Sequence, residues 1–233
     1  MLRIINQQAD VTAELQRICE RTNDEQVLHK EATVREVLQA VKRQGDKAVL
    51  HYTAEFDNQI LNAEELRVTD SEFDEAYKNI SKDLLKGIRL ACSKIEKFHR
   101  QRVPKNWVSF EDDEVVLGKR YTPVDTAGLY VPGGRASYPS TVLMNAIPAK
   151  VAGVARRVMV TPPGAEKRIS PAVLVAAREA GIDEIYRVGG AQAIGALAYG
   201  TQTIPKVNVI TGPGNIYVTL AKKLVYGTVG IDS

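Results

Sequence analysis

Apolar side chains in the first part of the chain recur at the spacing of an amphipathic helix. The clearest case is the segment "TVREVLQAVKRQGDKAVLHYTAEF", in which one apolar face runs from Val34 to Phe56. This spacing predicts a long helix. Thr33 and Glu36 have the spacing of a capping box, so we expect that helix to begin there.

Two further helices are predicted before the pattern changes. One runs from Ser71 to about Ile80. The other runs through "KDLLKGIRLACSKIEKFHRQ", where Leu84, Ile88 and Ile95 belong to one apolar stripe. The N-terminal part of the chain is therefore predicted to be helical.

Beyond Trp107 the pattern changes to short β-branched runs that alternate with helices. Predicted helices begin at about Thr141, Ser170, Ala191 and Asn215. The predicted strands are "EVVLGKRY", "TAGLYV", "RRVMVT", "DEIYRV" and "KVNVIT".

This alternation is typical of an α/β fold with helices on both faces of a parallel sheet. We expect a helical N-terminal region over residues 1–106, as part of a domain that further chain would complete. Residues 107–233 are expected to form an open, mostly parallel, Rossmann-like sheet flanked by helices. In such sheets ligands bind at the carboxyl ends of the strands.

Composition excludes several classes of protein. The 233 residues are 44% hydrophobic, and 31 basic against 28 acidic residues leave a net charge of only +3. That balance favours a soluble globular protein and predicts neither a nucleic-acid nor a membrane partner. No apolar run is long enough for a targeting or membrane segment. Cys19 and Cys92 are far apart and form no readable disulfide framework, so we expect a cytoplasmic protein.

Three glycine-rich turns follow predicted strands and lead into helices. They lie at Gly128–Ala136, Val188–Ala196 and Thr211–Tyr217. None matches the dinucleotide fingerprint G-x-G-x-x-G or the P-loop. Each turn by itself is better explained by backbone geometry, because glycine is needed wherever φ is positive or packing is close. Three such turns at one edge of a sheet favour a ligand site, and helix N-termini there would attract an anion.

Polar residues within these turns are candidate ligand contacts. Tyr130 could pack against a planar ring, and the amides of Gln192 and Asn215 could bond a ribose or a carboxamide. A structural explanation is equally open for two of them, since Tyr130 could be a core aromatic and Asn215 a simple N-cap. Gln192, between two alanines, has little local structural purpose.

No catalytic or metal-binding residue is predicted from the other polar side chains. His29, His51 and His99 lie in predicted helices without a partner at metal-ligand spacing. The two cysteines are far from every glycine turn. The carboxylates from Glu111 to Glu114 are more typical of a solvated loop than of a cation site.

Several long segments together resemble the histidinol dehydrogenase family. They are "GLYVPGG", "STVLMNAIPAKVAG", "VGGAQAIGALAYGT", "IPKVNVITGPGN", the terminal "GTVGID" and, in the helical part, "GDKAVLHYTAEFD". The resemblance covers nearly the whole chain with its motifs in the family's order.

The resemblance implies a fold like that of aldehyde dehydrogenases and a specific chemistry. Family members oxidise L-histidinol to L-histidine in two NAD-dependent steps, use a zinc ion and form homodimers. Carried over by motif, the NAD contacts fall on Tyr130, Gln192 and Asn215. These residues are the same three that the turns suggested.

The resemblance also implies that catalysis needs more than these residues. Family chains continue for nearly as long again, and the continuation supplies the acid/base pair and the zinc ligands. We therefore expect this chain to be the NAD-binding half and to be inactive alone. Two alternatives stay open. The chain could belong to a related zinc and NAD dehydrogenase of another amino or hydroxy alcohol, or it could be a noncatalytic dimerisation or binding module.

Overall fold

The computed structural model describes residues 4–5, 7–19, 25–111, 114–133, 137–182 and 184–232. Helices and strands alternate in its C-terminal part, and helices alone fill the part before residue 106. The helices are α1 (Gln8–Cys19), α2 (Glu25–Gln44), α3 (Asp46–Asp57), α4 (Asp70–Lys78), α5 (Lys82–Arg100), α6 (Pro139–Val151), α7 (Pro171–Glu179), α8 (Gly190–Tyr199) and α9 (Ile216–Val225).

A parallel sheet forms the centre of the molecule. Its strand order is β5-β4-β3-β6-β7, and every neighbouring pair is parallel. An α/β fold with an open parallel sheet flanked by helices is thereby confirmed. The strands are β1 (Trp107–Phe110), β2 (Val116–Lys119), β3 (Thr126–Tyr130), β4 (Arg156–Thr161), β5 (Glu184–Arg187), β6 (Val209–Thr211) and β7 (Gly230–Ile231).

Two hydrophobic cores lie on opposite faces of this sheet. Successive side chains of a strand point to opposite faces. In β4, Val158 and Val160 accordingly pack with α8 and α9, whereas Met159 packs with α6 and α7. The chain moves outward from β3 to β5, then crosses back to β6 on the other side of β3. The order of strands therefore reverses between β3 and β6, which is where open α/β sheets bind ligands.

The N-terminal helices cover both layers of sheet helices. Helices α2 and α3 pack on α8, and α2 also packs on α9. Helix α4 packs on α7, and α5 packs on α6 and α7. Both cores thus contain side chains from before and after residue 106. That position marks a change in secondary structure, and its role as a domain boundary stays a prediction.

The predicted long helix from Thr33 is wrong at both its start and its continuity. Helix α2 begins at Glu25, and within it the Thr33 hydroxyl donates to the carbonyl oxygen of His29 rather than capping. The helix is interrupted at Gly45, where φ is +58°. A turn with positive φ redirects the chain into α3, which the continuous apolar spacing concealed. The next two helices, α4 and α5, form where they were predicted.

The predicted strand "EVVLGKRY" lies outside the parallel sheet. Its β2 pairs antiparallel with β1, a strand that the pattern did not predict. Side chains of this hairpin are mostly exposed on both faces, with Val108 and Phe110 among them. A strand of a helix-covered parallel sheet is buried on both faces, whereas the apolar side chains of this segment, Val116 and Leu117 among them, are exposed. The short β7 was also missed, because two residues carry no periodicity.

A matched pair of glycine substitutions tests this description of the N-terminal helices. A Cβ at Gly45 would lie 2.2 Å from Oε1 of Gln202, and its φ of +58° disfavours any other residue. We expect Gly45→Ala to lower the free energy of unfolding by about 2 kcal/mol. Gly87 lies in exposed helix with nothing within 4 Å of its added Cβ, so Gly87→Ala should raise stability by about 0.5 kcal/mol. Urea unfolding measures both, and effects of the same sign would contradict the structure.

Candidate functional site

The turns after β3 and β6 meet at the point where the strand order reverses. Gly212, directly after β6, has a φ of +120°. A Cβ built on it would lie 2.0 Å from the carbonyl oxygen of Tyr130, the last residue of β3. Only glycine allows the two backbones to come so close. This contact places the Gly212–Gly214 turn directly against the carboxyl end of the central strand.

Tyr130 is a core residue whose hydroxyl contacts the start of α8. Its exposed fraction is 4%, and its phenolic oxygen accepts a hydrogen bond from the Gly190 amide at 3.2 Å. Burial is the main cause that raises the pKa of Tyr130 to about 12, so the phenol is neutral at pH 7. Tyr130 is thus packed as a core aromatic, which is the structural explanation that the sequence left open. A contact between Tyr130 and a dinucleotide stays a prediction.

Gln192, in the first turn of α8, is buried without a polar partner. Its exposed fraction is 0%, and neither its amide oxygen nor its amide nitrogen has a hydrogen-bond partner among the described residues. Leaving a buried polar group unpaired costs about 1–3 kcal/mol. Such groups are rare in native proteins and call for a functional or structural reason. Gly190, with a φ of +62°, leaves the space that Oε1 of Gln192 occupies, since a Cβ there would lie 2.5 Å from it.

Asn215 caps the helix that follows β6. Its side-chain oxygen accepts hydrogen bonds from the amides of Tyr217 at 3.0 Å and Val218 at 3.1 Å. Two free amides of α9 are therefore occupied by the protein itself. Helix α8, by contrast, begins after Gly189 with no side-chain cap hydrogen bond. At the start of α8 the Gly190 amide donates to the Tyr130 hydroxyl, and the next residues, Ala191 and Gln192, are buried.

An ion pair between the buried Lys222 and the exposed Asp232 holds the Gly212 turn in place. The Gly212 amide donates to Oδ2 of Asp232 at 2.8 Å, and Nζ of Lys222 donates to the Gly212 carbonyl at 3.2 Å. Lys222 and Asp232 also pair directly. Lys222 has an exposed fraction of only 4%. Sequence reasoning missed this pair, although a lysine on the apolar face of α9 and an aspartate after β7 were visible in the sequence.

The structure brings Tyr130 and Gln192 together and places Asn215 in the adjoining turn. Tyr130 and Gln192 meet around Gly190 at the start of α8. Asn215 lies beyond the turn that contacts the end of β3. The remaining residues of the turn after β3, residues 134–136, lie outside the described part of the chain.

A separate groove of about 1000 Å³ lies beside the β5 edge and contains none of these three residues. Its walls are residues 61–79 and 164–171, together with Leu174 and Arg187. Its charges are largely paired, for example Lys167 with Glu65 at 2.8 Å. Buried Arg187 donates to the carbonyl oxygens of Glu65 and Arg67, an arrangement that serves to attach this segment to the sheet edge.

The other candidate side chains form no constellation in the described ranges. No group of three or more His, Cys, Asp or Glu residues is arranged to hold a metal ion there. His51 lies 3.5 Å from Glu55 on the exposed face of α3. Burial raises the pKa of the Cys92 thiol, which makes it less reactive. Two residues of the carboxylate run, 112 and 113, are outside the described residues. None of the described helices has the length and hydropathy to cross a membrane.

Removing Asp232 should expose the dependence of the turn on its ion pair. Asp232→Ala leaves the buried Lys222 ammonium without its carboxylate, and we expect unfolding free energy to fall by about 2 kcal/mol. The double variant Lys222→Met/Asp232→Ala removes the buried charge as well and should recover part of that loss. Lys223→Met, at the exposed neighbouring position, is the control and should change little. Urea unfolding of the four proteins decides, and equal losses in the single and double variants would contradict the role of the buried charge.

Comparisons with known proteins point to one family. The family model described as histidinol dehydrogenase matches residues 20–233. Histidinol dehydrogenase 2 of Trichormus variabilis is 82% identical over 233 residues, which are 100% of this chain and 54% of that protein. Histidinol dehydrogenase of a Synechococcus strain is 70% identical over the same shares of the two chains. The chain thus spans about half the length of the curated relatives it matches.

A solved structure shares the fold. The crystal structure of histidinol dehydrogenase from Elizabethkingia anophelis matches with a TM-score of 0.83 and 39% sequence identity. The match covers 87% of this chain and 46% of that one. Since the family model matches nearly the whole sequence and the fold agrees, this chain belongs to the histidinol dehydrogenase family.

Proposed function

We propose that this chain is the dinucleotide-binding half of a histidinol dehydrogenase, which oxidises L-histidinol to L-histidine with NAD. The observation that carries the proposal is the buried, unpaired amide of Gln192 at the carboxyl end of the sheet. A buried amide without partners costs stability, and a bound ligand that meets both of its atoms would offset that cost. Family membership supplies the ligand class.

The residues at this edge of the sheet fit a dinucleotide. The start of α8 offers the partial positive charge of a helix N-terminus to the pyrophosphate. The amide of Gln192 can donate to and accept from a ribose or carboxamide. Asn215 fixes the start of α9 beside it, and Tyr130 holds the Gly190 amide in place. Bound NAD supplies the hydride acceptor, and this chain positions it.

Other parts of the full activity are proposed from the family alone. We assign residues 107–233 to the NAD-binding domain, and we propose that the protein is a cytoplasmic homodimer that uses zinc. No ligand set for zinc is found in the part of the chain that the structure describes, so we assign no residue to it. Acid/base catalysis is likewise assigned to no residue of this chain. On this proposal, the chain positions the cofactor, and residues outside it perform the proton transfers.

A noncatalytic binding module is the second candidate function. One observation favours it. The side chain of Asn215 caps α9, so an asparagine at this position needs no ligand to explain it. Such a module would keep the fold and have no affinity for NAD. Ligand binding to the folded state alone must raise stability, so a titration separates the two functions.

The proposal predicts opposite effects of Gln192→Met on stability and binding. Met has a similar shape and no amide to leave unpaired, so the variant should unfold at the same or a higher urea concentration than the wild-type chain. It should lose NAD affinity by tenfold or more, on the order of 1.4 kcal/mol. Wild-type chain with NAD at about 100 times Kd should gain about 2.7 kcal/mol of stability.

Calorimetric titration and urea unfolding, with and without NAD, measure both effects. Histidinol-dependent NADH formation is followed on the same wild-type sample and is expected to be absent. No stabilisation of the wild-type chain by NAD would leave the noncatalytic module as the better function. Turnover by this chain alone would overturn the assignment of proton transfer to residues outside it.

Asn215→Asp separates the capping role from the ligand role. Aspartate caps a helix as well as asparagine does, and its charge suits the N-terminus of α9, so stability should be unchanged. If the turn faces the pyrophosphate, the added negative charge should weaken NAD binding about tenfold. Asn208→Asp provides a matched control, because Asn208 accepts from the Thr126 amide at the opposite end of β3. Equal NAD affinity in both variants and the wild-type chain would restrict Asn215 to its capping role.

A further inference from the structure

Helices α3 and α8 pack against each other, and the attachment of the start of α3 beyond the end of α8 indicates that they run antiparallel. The start of α3 is attached just beyond the end of α8, where the Asp46 amide donates to Oε1 of Gln202 at 2.8 Å. The hydroxyl of Thr203 donates to Oδ2 of Asp46 at 2.5 Å.

This arrangement brings the end of α3 to the start of α8. A helix rises about 1.5 Å per residue, so Asp57 lies roughly 16 Å from Asp46 along α3. The ten residues of α8 span about 15 Å, which places Asp57 beside the first turn of α8. Gly190 and Gln192 are in that turn. An independent observation agrees, because the charge of Asp57 contributes, after burial, to the raised pKa of Tyr130, whose hydroxyl contacts Gly190.

Four shielded polar atoms without partners among the described residues belong to α3 and to the first turn of α8. They are Oγ1 of Thr53, Oδ2 of Asp57 and both amide atoms of Gln192. Thr53 and Asp57 are four residues apart and therefore share one face of α3. Thr53 and Gln192 are completely buried, whereas Asp57 is partly exposed and marks the side from which the interface opens to solvent.

The chemistry of these groups identifies what they would bind. An ionised carboxylate only accepts hydrogen bonds, a hydroxyl both donates and accepts, and an amide offers one acceptor and two donors. Burial raises the pKa of Asp57 to about 6, so its carboxylate is still largely ionised at neutral pH and has lost part of its hydration. A vicinal diol satisfies this set, because its two hydroxyls donate to the acceptors and accept from the amide.

We propose that Asp57 and Thr53 of α3 join Gln192 in binding a ribose diol of the dinucleotide. This inference rests on the proposed NAD site and extends it to the N-terminal helices, outside the predicted NAD-binding domain. Asp57 is then a specificity-determining residue. Its charge favours a ribose with free hydroxyls and repels one that carries a phosphate.

Calorimetric titration of the full chain with NAD tests the proposal. Asp57→Ala should weaken NAD binding about tenfold or more, and Thr53→Val should weaken it less, because a charged acceptor forms the stronger bond. Glu55→Gln, on the exposed face of the same helix, is the matched control and should bind as the wild-type chain does. Urea unfolding of each variant checks that the protein is folded, which Asp57→Ala should be, since its inner oxygen has no partner to lose.

Two shorter probes distinguish the two riboses of the dinucleotide. AMP carries only the adenosine ribose, and nicotinamide mononucleotide carries only the other. The ribose that Asp57 binds is the one whose mononucleotide loses affinity in Asp57→Ala. If it is the adenosine ribose, the variant should also reduce the preference for NAD over its 2′-phosphorylated analogue.

The outcomes separate this inference from the proposed function. NAD affinity that falls in Gln192→Met and is unchanged in Asp57→Ala would overturn the role of Asp57 and leave the NAD site standing. A loss in Asp57→Ala for NAD but for neither mononucleotide would also overturn ribose binding. If the wild-type chain does not bind NAD, both the inference and the proposed function are wrong.

Discussion

The close approach of Gly212 to the Tyr130 carbonyl is the constraint on which the rest of the site depends. Two neighbouring parallel strands, β3 and β6, end at this contact, and a Cβ at Gly212 would lie 2.0 Å from the oxygen. The same tyrosine accepts from the Gly190 amide through its side chain. One residue therefore fixes the turn after β6 through its backbone and the start of α8 through its phenol. A buried lysine and Asp232 hold the turn from the other side.

Polar groups at this edge of the sheet are divided between satisfied and unsatisfied ones. Asn215 is satisfied, because its oxygen accepts from two amides of its own helix. Gln192 has no partner for either amide atom in the described chain, although it is completely buried. Asn215 and Gln192, which are candidates for the same role in the sequence, therefore differ in their hydrogen bonding. An unpaired buried amide costs stability, and the proposed dinucleotide site gives that cost a function.

The N-terminal helices belong to the same structural unit as the sheet in physical terms. Helix α3 ends where α8 begins, and the helices on both sides of the sheet complete both hydrophobic cores. A pattern that changes from helical to alternating near Trp107 suggests two parts. Burial of apolar surface joins them, because the outer faces of α6 to α9 are themselves apolar and need cover. The α3 helix can thereby reach a site that the strands of the sheet build.

The sequence by itself determined the local elements of the α/β part. Apolar β-branched runs predicted β3 to β6, and the position of Ser170, Pro171 and Asn215 predicted the starts of α7 and α9. Those signals are local, since each depends on residues within one turn or one strand. The same local reasoning selected Tyr130, Gln192 and Asn215, whereas the resemblance to the family rests on several long segments in the family's order.

Only the tertiary structure decided what depends on residues far apart in the chain. Gly45 interrupts an apolar pattern that looked continuous. It has a positive φ and lies against Gln202, a residue far away in the sequence. The β2 segment joins a hairpin rather than the sheet, because it has no helices to cover it. Tyr130 is buried and Gln192 is unpaired for the same reason. Each outcome depends on which distant atoms surround a side chain, and periodicity along the sequence carries no information about them.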